Sequence, residues 1–214
     1  MACSVYLIRH GQSLGNFKRN FLGHTDWDLT ELGYKQADCV AQYFDKISVD
    51  AIYSSDLMRA RNTVVPLSKA KGLEISTDKN LREIYAGLWE GQNYQFIEEK
   101  TPSEWAAWQR ADSENMGPAQ GESVKELLSR VYGALVKIAQ NSDGKTVVVA
   151  LHATPIRVVT NHVLGKSLCE LFSTPWVANA SVTKLSFLRG EFKLEFTNDC
   201  SHLGSLVTVL PKNI

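Results

Sequence analysis

The first regular segment of the chain is Val5-Tyr6-Leu7-Ile8-Arg9-His10-Gly11, and the expected architecture follows from it. Its four leading residues are apolar without alternation, which is typical of a strand buried on both faces in a parallel sheet. Two chemically active side chains, Arg9 and His10, come directly after this strand. A second continuous apolar run, 147–151, ends in the same way at His152. The chain is therefore predicted to contain buried strands with polar groups at their carboxyl ends.

Three segments have the apolar spacing and end signals of helices. They are 30–46, 56–71 and 123–140. Ser123 and Glu126 form a capping box at the start of the clearest one, and Thr30 is a cap for the first. The middle helix is expected to end at Gly72, and Pro66 inside it is expected to kink or interrupt it.

Strand-like segments are 5–8, 50–53, 147–151, 182–188 and 192–197. The last two flank Arg189-Gly190, which predicts a hairpin that could add antiparallel edge strands. A further helix should start at Thr154-Pro155 with proline in its first position. Strands that alternate with helices indicate an α/β fold with a mainly parallel sheet.

Residues that suit phosphate chemistry follow three of these strands. They are Arg9, His10 and Gly11 after the first, Ser54, Ser55 and Arg59 after the second, and His152 after the third. Ligands of open α/β sheets bind outside the carboxyl ends of the strands, so these groups should converge. Arginine matches phosphate oxygens with a rigid fork of donors. Gly11 would allow backbone amides to approach a ligand, and Asn16 could add a neutral donor.

Histidine can act as a covalent nucleophile toward phosphorus, and a second, protonated histidine can stabilise the oxygens in transfer. The leaving alcohol then needs a proton from a carboxylic acid whose pKa is raised. Glu83 and Glu90 are both candidates, and their spacing alone does not decide between them. Phosphate charge balanced by guanidinium and imidazole groups requires no metal and no cofactor.

Bulk composition excludes several other classes. The 23 basic and 23 acidic residues cancel, which disfavours a protein that binds nucleic acid or a membrane surface. Its four cysteines form no CxxC pair, so a zinc ribbon or redox motif is not expected. No signal peptide is evident at the first residues, and a cytoplasmic location is predicted. Three histidines are taken as structural and two tryptophans as core residues: His24, His162, His202, Trp105 and Trp108.

The segment 7–13 resembles the Arg-His-Gly signature of the histidine phosphatase superfamily, which includes cofactor-dependent phosphoglycerate mutases and many small phosphatases. Further blocks resemble that family in the same order along the chain, at 28–37, 54–63, 81–91 and 151–152. The resemblance implies a three-layer α/β/α sandwich with a mostly parallel central sheet. It also implies one domain over 1–214, in which 92–122 forms a helical and loop insertion over the active site.

The same resemblance implies the residue roles. His10 would be the nucleophile, and Glu83, rather than Glu90, would be the general acid and then the base. The catalytic His152 would hold the phosphoryl group together with four side chains or backbone positions. These are Arg9, Gly11, Asn16 and Arg59, with Ala153 beside them.

Three departures from the family pattern bear on the reaction. Ala153 replaces the usual glycine after the second histidine, and its methyl group is expected to narrow the phosphate pocket. Mutases carry a basic residue after the catalytic glutamate, whereas Ile84 follows Glu83 here, and Arg110 is the only arginine within 92–122. These differences favour a phosphatase that hydrolyses a small phosphorylated metabolite through a phosphohistidine. The alternatives are a phosphoglycerate mutase and a non-catalytic phosphate-binding protein.

Overall fold

A computed structural model describes residues 1–110 and 113–208, and its centre is a six-stranded sheet. The strands of the chain are β1 (Cys3–Arg9), β2 (Asn20–Phe21), β3 (Ala51–Ser54), β4 (Ile75–Thr77), β5 (Gln92–Asn93), β6 (Thr146–Leu151), β7 (Val182–Leu188) and β8 (Glu191–Asp199). The sheet has the order β4-β3-β6-β1-β7-β8, while β2 and β5 pair separately. Because β7 is antiparallel to both neighbours and the other pairs are parallel, the remaining five strands of the sheet share one direction.

Helices cover both faces of the sheet. They are α1 (Leu14–Lys18), α2 (Glu31–Tyr43), α3 (Met58–Lys71), α4 (Tyr94–Lys100), α5 (Pro102–Arg110), α6 (Val124–Gln140) and α7 (Ala153–Val163). The alternating residues of β1 enter two separate cores. Val5 and Leu7 pack in the cluster that contains α6 and α7, whereas Tyr6 and Ile8 pack with α2 and α3. The predicted three-layer α/β/α sandwich with a mostly parallel sheet is therefore confirmed.

The helix boundaries follow the sequence signals closely: α3 ends at Lys71 before Gly72 and α6 ends at Gln140, both as predicted, while α2 ends three residues earlier than expected. The capping box of Ser123 and Glu126 is present at the start of α6, and Thr30 caps α2 through the amide of Gly33. Of the two effects predicted for Pro66, a kink or an interruption, the interruption is wrong, because α3 is continuous across this residue. An interior proline costs about 3 kcal/mol. Burial of flanking apolar side chains such as Leu67, at about 1.5–3 kcal/mol each, offsets that cost.

The start of α7 differs by two residues from the prediction. The helix begins at Ala153 with His152 as its N-cap, so Pro155 occupies the third position and not the first. Proline is tolerated at this position, because the backbone amides of the first helical turn have no intrahelical acceptor and the missing N–H of Pro155 costs no hydrogen bond. The hairpin is confirmed: β7 and β8 meet at Arg189-Gly190, both with positive φ. Short elements such as α1 and β4 were not predicted, because they are too short to show periodicity.

The segment 92–122 contains α4, α5 and a loop, and it joins the main core through aromatic rings. The rings of Trp105 and Trp108 lie 5.7 and 6.2 Å from that of Trp89. Both tryptophans are buried, which confirms their expected place in the core. Within the described part of the chain, no helix combines the length and apolar character needed to cross a bilayer.

Candidate active site

An open cavity of about 600 Å³, including the solvent at its mouth, lies at the carboxyl ends of β1, β3 and β6. Most of the residues predicted for the site line this cavity. They are Arg9, His10, Asn16, Arg59, Glu83 and Ala153. His152 lies immediately behind this lining, with its ring centroid 5.2 Å from that of His10. Gly11 is outside the lining, so the structure brings together all but one of the predicted groups.

The orientation of His10 determines which of its nitrogens is reactive. Its Nδ1 lies 2.7 Å from the carbonyl oxygen of Gly11. Because a carbonyl can only accept, Nδ1 carries the proton and Nε2 keeps its lone pair. Burial, and then the positive charges of Arg59 and Arg9, hold the pKa of His10 well below 6.5. The ring is therefore neutral near pH 7, with one nitrogen available as a nucleophile.

His152 is fully buried, and neither ring nitrogen has a hydrogen-bond partner among the described residues. Burial and the charge of Arg59, followed by His10, lower its pKa well below 6.5. In the free protein this ring is therefore biased toward its neutral form, and its protonation during phosphoryl transfer stays a prediction. A bound phosphate dianion beside the ring would favour the charged form and raise that pKa. The ring can therefore gain its proton as the anion arrives.

Backbone carbonyls hold both arginines in place. Arg59 donates from Nη1 to the oxygen of Thr25 at 2.8 Å and from Nη2 to the oxygen of Gly23 at 2.7 Å. Arg9 donates from Nη1 to the oxygen of Val177 at 2.6 Å. Burial lowers the pKa of each arginine to about 10, so both stay charged at neutral pH. The Nε atoms of both have no partner among the described residues, which leaves donors for an anion.

Glu83 and Glu90 have different surroundings, although their spacing left them equivalent. Burial raises the pKa of the Glu83 carboxyl, whose oxygens accept from the amides of Ile84 at 2.8 Å and Thr154 at 3.3 Å. The carboxylate of Glu90 instead accepts from three backbone amides, among them those of His24 and Thr25. Glu83 therefore lines the cavity with a raised pKa, which favours its protonated form. Glu90 instead supports the loop whose carbonyls hold Arg59.

Asn16 is part of a polar network that pattern reasoning found only in part. Its Oδ1 accepts from the backbone amide of Ser13 and from Nδ2 of Asn179, at 3.1 and 3.0 Å. Because the oxygen is engaged, Nδ2 of Asn16 is the group left for a ligand. Asn179 also donates to the carbonyl of His10 at 3.1 Å. No sequence signal marked Asn179, which is an isolated polar residue in the loop before β7.

Gly11 is explained by packing, whereas Ala153 is part of the cavity wall. The amide of Gly11 donates to Oγ1 of Thr63 at 2.9 Å, and a Cβ at this position would lie 2.7 Å from the oxygen of Gly33. Glycine is thus required by a close backbone contact, and not by the expected approach of a ligand. Ala153 is the first residue of α7 and lines the cavity, where its methyl group is accommodated in the wall.

Arg130 positions the backbone that carries Glu83, and pattern reasoning missed it. Its guanidinium donates to the carbonyls of Asn80, Arg82 and Glu83 at 2.9–3.0 Å. It also forms a two-point ion pair with Glu122 at 2.6 and 2.8 Å. Side chains of α6 and the preceding loop thereby fix the segment 80–83.

The segment 198–203 supports the other side of the site. The Oδ1 of Asn198 accepts from the amide of Ala178 at 2.7 Å, and Nε2 of His202 donates to the carbonyl of Ala180 at 3.0 Å. The loop before β7, which contains Ala178 and Ala180, also provides the Val177 carbonyl that holds Arg9. His202 is therefore structural, as expected. So is His24, whose Nε2 donates to the carbonyl of Glu83 at 3.0 Å.

Comparison with known proteins identifies the class. The family model of the histidine phosphatase superfamily (branch 1) matches residues 5–200. The chain therefore belongs to the histidine phosphatase superfamily. Within the described ranges, no group of three or more histidine, cysteine or acidic side chains is arranged to hold a metal ion.

Individual relatives include both phosphatases and mutases. The chain is 33% identical to phosphoserine phosphatase 1 of Hydrogenobacter thermophilus over 79% of this chain and 80% of that one. It is 29% identical to a metal-independent phosphoserine phosphatase of Arabidopsis thaliana, over 94% and 84%. It is 34% identical to a probable phosphoglycerate mutase of Yersinia pestis, over 75% and 74%. The solved structure of Bacillus stearothermophilus YhfR superposes with a TM-score of 0.89 at 28% identity, covering 94% of this chain and 99% of the other.

The bonding of Glu90 generates a first prediction. In Glu90→Gln an NH₂ group replaces one carboxylate oxygen. The backbone amides that donate to that oxygen then face another donor and lose their acceptor. We expect the free energy of unfolding to fall by about 1–3 kcal/mol in urea denaturation. Glu98→Gln is the matched control, because Glu98 is exposed on α4. Equal unfolding midpoints for the two variants would contradict the supporting role of Glu90.

Proposed function

We propose that this protein hydrolyses phosphate monoesters of small metabolites in two steps, through a phosphoryl group carried on His10. One observation carries the proposal: a neutral His10, with its Nδ1 proton bound to the Gly11 carbonyl, lines one cavity with Arg9, Arg59 and the protonatable Glu83. The phosphatase names of several relatives support the same reaction class.

In the first step, Nε2 of His10 attacks phosphorus as the bond from phosphorus to the ester oxygen breaks. The guanidinium groups of Arg9 and Arg59 and the ring of His152 stabilise the oxygens of the transferred group. Nδ2 of Asn16 adds a neutral donor. The departing alkoxide takes its proton from the carboxyl of Glu83, whose raised pKa keeps that proton available.

In the second step, the carboxylate of Glu83 accepts a proton from water, and the resulting hydroxide attacks the phosphoryl group on His10. The bond from nitrogen to phosphorus breaks and the imidazole is regenerated, together with inorganic phosphate. The segment 92–122 would limit the access of water during both steps, because its residues Tyr94, Trp105 and Trp108 line the cavity. We propose that this segment covers the site within a single domain, and a cytoplasmic location stays a prediction.

The covalent intermediate provides the main test. We expect His10→Ala to lose at least about 10³-fold in kcat, because His10 supplies the only imidazole among the described residues that line the cavity. Rapid quenching at alkaline pH, followed by mass spectrometry, should find the phosphoryl group on the peptide that contains His10. The exposed His162 supplies the control variant His162→Ala, which should keep full activity. A folded protein that turned over no ester in a broad panel would favour the alternative of a phosphate-binding protein.

The role of Glu83 can be separated from that of the nucleophile by leaving group. Glu83→Gln should slow the hydrolysis of alkyl phosphates about 10²-fold or more, since their alkoxides need a proton. It should affect p-nitrophenyl phosphate far less, because p-nitrophenolate departs without protonation. The measurement is kcat/KM for both substrates in the two proteins, because kcat/KM reports the transfer to His10 and not the later hydrolysis of the intermediate that both substrates share. Equal losses on both substrates would assign Glu83 a structural role.

Independence from metals is also a proposal, based on the arginine and histidine donors that replace a cation. Activity should persist unchanged after dialysis against a chelator. Metal analysis of the dialysed sample by mass spectrometry provides the control. Activity that is lost on dialysis and restored by magnesium or zinc would contradict this part of the proposal.

Phosphoglycerate mutase is the rival supported by other relatives, and the position after Glu83 argues against it. Ile84 is fully buried there, so it supplies no cation for the carboxylate of phosphoglycerate. We expect hydrolysis of 3-phosphoglycerate, if any occurs, to exceed its isomerisation even with added 2,3-bisphosphoglycerate. Coupled assays for 2-phosphoglycerate and for phosphate measure both rates. Faster isomerisation would make the protein a mutase.

A further inference from the structure

The cavity continues beyond the phosphate-binding groups into an aromatic chamber. The rings of this chamber are Phe21, Tyr94, Trp105, Trp108, Phe172 and Trp176. All of them except Trp176 form a connected set of ring contacts: the centroid of Trp108 lies 5.9 Å from that of Phe21 and 5.5 Å from that of Phe172, both at steep angles. Such a wall offers ring edges and faces to whatever group enters with the phosphate.

The cations that line this cavity are the two proposed to bind the phosphate, and the guanidinium carbon of one of them, Arg9, also lies 5.5 Å from the ring centroid of Trp176. Among the described residues that line it, the arginines are Arg9 and Arg59, and no lysine is present. Arg157 lies behind the wall, where its Nη2 donates to the carbonyls of Leu171 and Thr174. Its guanidinium carbon lies 4.6 Å from the ring centroid of Trp176. The chamber thus gives a substrate carboxylate no cation of its own.

An ionic group in these surroundings would be unfavourable. A carboxylate that loses its water without gaining a cation pays a large desolvation cost, and the carboxyl of Glu83 on the same wall would repel it when ionised. An aromatic ring would gain contacts with the chamber worth about 0.5–1.5 kcal/mol per ring pair, in addition to buried area.

We propose that the substrate of this site is the phosphate ester of an uncharged alcohol that bears an aromatic or similar planar apolar group. This inference rests on the proposed phosphatase function and specifies its substrate class. It also separates this chain from relatives named for phosphoserine and phosphoglycerate, whose substrates place a carboxylate beside the ester.

The test compares esters whose alcohols have similar acidity. Benzyl phosphate should show a kcat/KM at least about tenfold above those of n-propyl phosphate, O-phosphoserine and 3-phosphoglycerate. A kcat/KM for either carboxylated ester that matched or exceeded the benzyl value would overturn the inference. So would equal values for benzyl and propyl esters, while hydrolysis of p-nitrophenyl phosphate would still uphold the proposed phosphatase. Inactivity on all esters would instead reject the proposed function.

A variant of the wall tests the location of the preference. Phe172→Leu keeps an apolar side chain but removes a half-buried ring that lines the cavity. It should raise KM for benzyl phosphate about five- to tenfold more than it raises KM for n-propyl phosphate. Phe96→Leu is the matched control, since Phe96 is exposed on α4 outside the cavity lining. An equal change for both esters would place the preference elsewhere and contradict the assignment; the ester comparison on the unaltered protein decides the proposal even if the variant does not fold.

Discussion

The backbone hydrogen bond from His10 to the carbonyl of Leu151, at 3.0 Å, is the contact on which the candidate site depends. It extends the parallel ladder of β1 and β6, in which Arg9 lies opposite Leu151. Because the strands run in the same direction and stay in register to their last residue, His10 and His152 leave the sheet side by side. The separation of 5.2 Å between their rings follows from strand spacing and needs no special loop.

Buried cations beside these rings must be stabilised before any substrate arrives. The protein meets this need with backbone carbonyls, which hold Arg9 and Arg59 without neutralising them. A carboxylate partner would compete with phosphate for the same guanidinium groups, whereas a carbonyl orients them and leaves their charge. The loops that supply the carbonyls are held in turn by Glu90 on one side and by the segment 198–203 on the other. Residues remote from the chemistry therefore set its geometry.

Burial has opposite effects on the pKa values of His10, the proposed nucleophile, and Glu83, the proposed general acid. It disfavours the cationic form of His10 and the anionic form of Glu83, so it lowers the pKa of the first and raises that of the second. Both groups are thereby biased toward the neutral state, which is the state that a nucleophile and a general acid require. A dianion entering the cavity would then shift His152 toward its charged form. Burial in one low-dielectric cavity thus favours the neutral forms of both His10 and Glu83, as the proposed phosphoryl transfer requires.

The sequence by itself determined the α/β class, the two buried central strands and the convergence of His10, Arg59 and His152. It could do so because apolar periodicity reports burial directly, and because parallel strands bring their carboxyl ends to one edge. With the family resemblance added, it also selected Glu83 over Glu90. Only the tertiary structure decided the contrasting bonds of those two carboxylates. The bonds to Glu83 from Thr154 and to Glu90 from His24 and Thr25 join distant parts of the chain, and such partners leave no local pattern.

The same limit explains the supporting residues and the exceptions. Asn179 bonds to the carbonyl of His10 across 169 positions, and Arg130 reaches Glu83 across 47. Neither contact can be read from residue type or spacing. Pro66 was expected to break a helix that tertiary packing keeps intact, and the reason for glycine at position 11 became visible only with the Gly33 backbone beside it. Local pattern determines which surfaces are buried, whereas long-range packing determines which polar atoms meet.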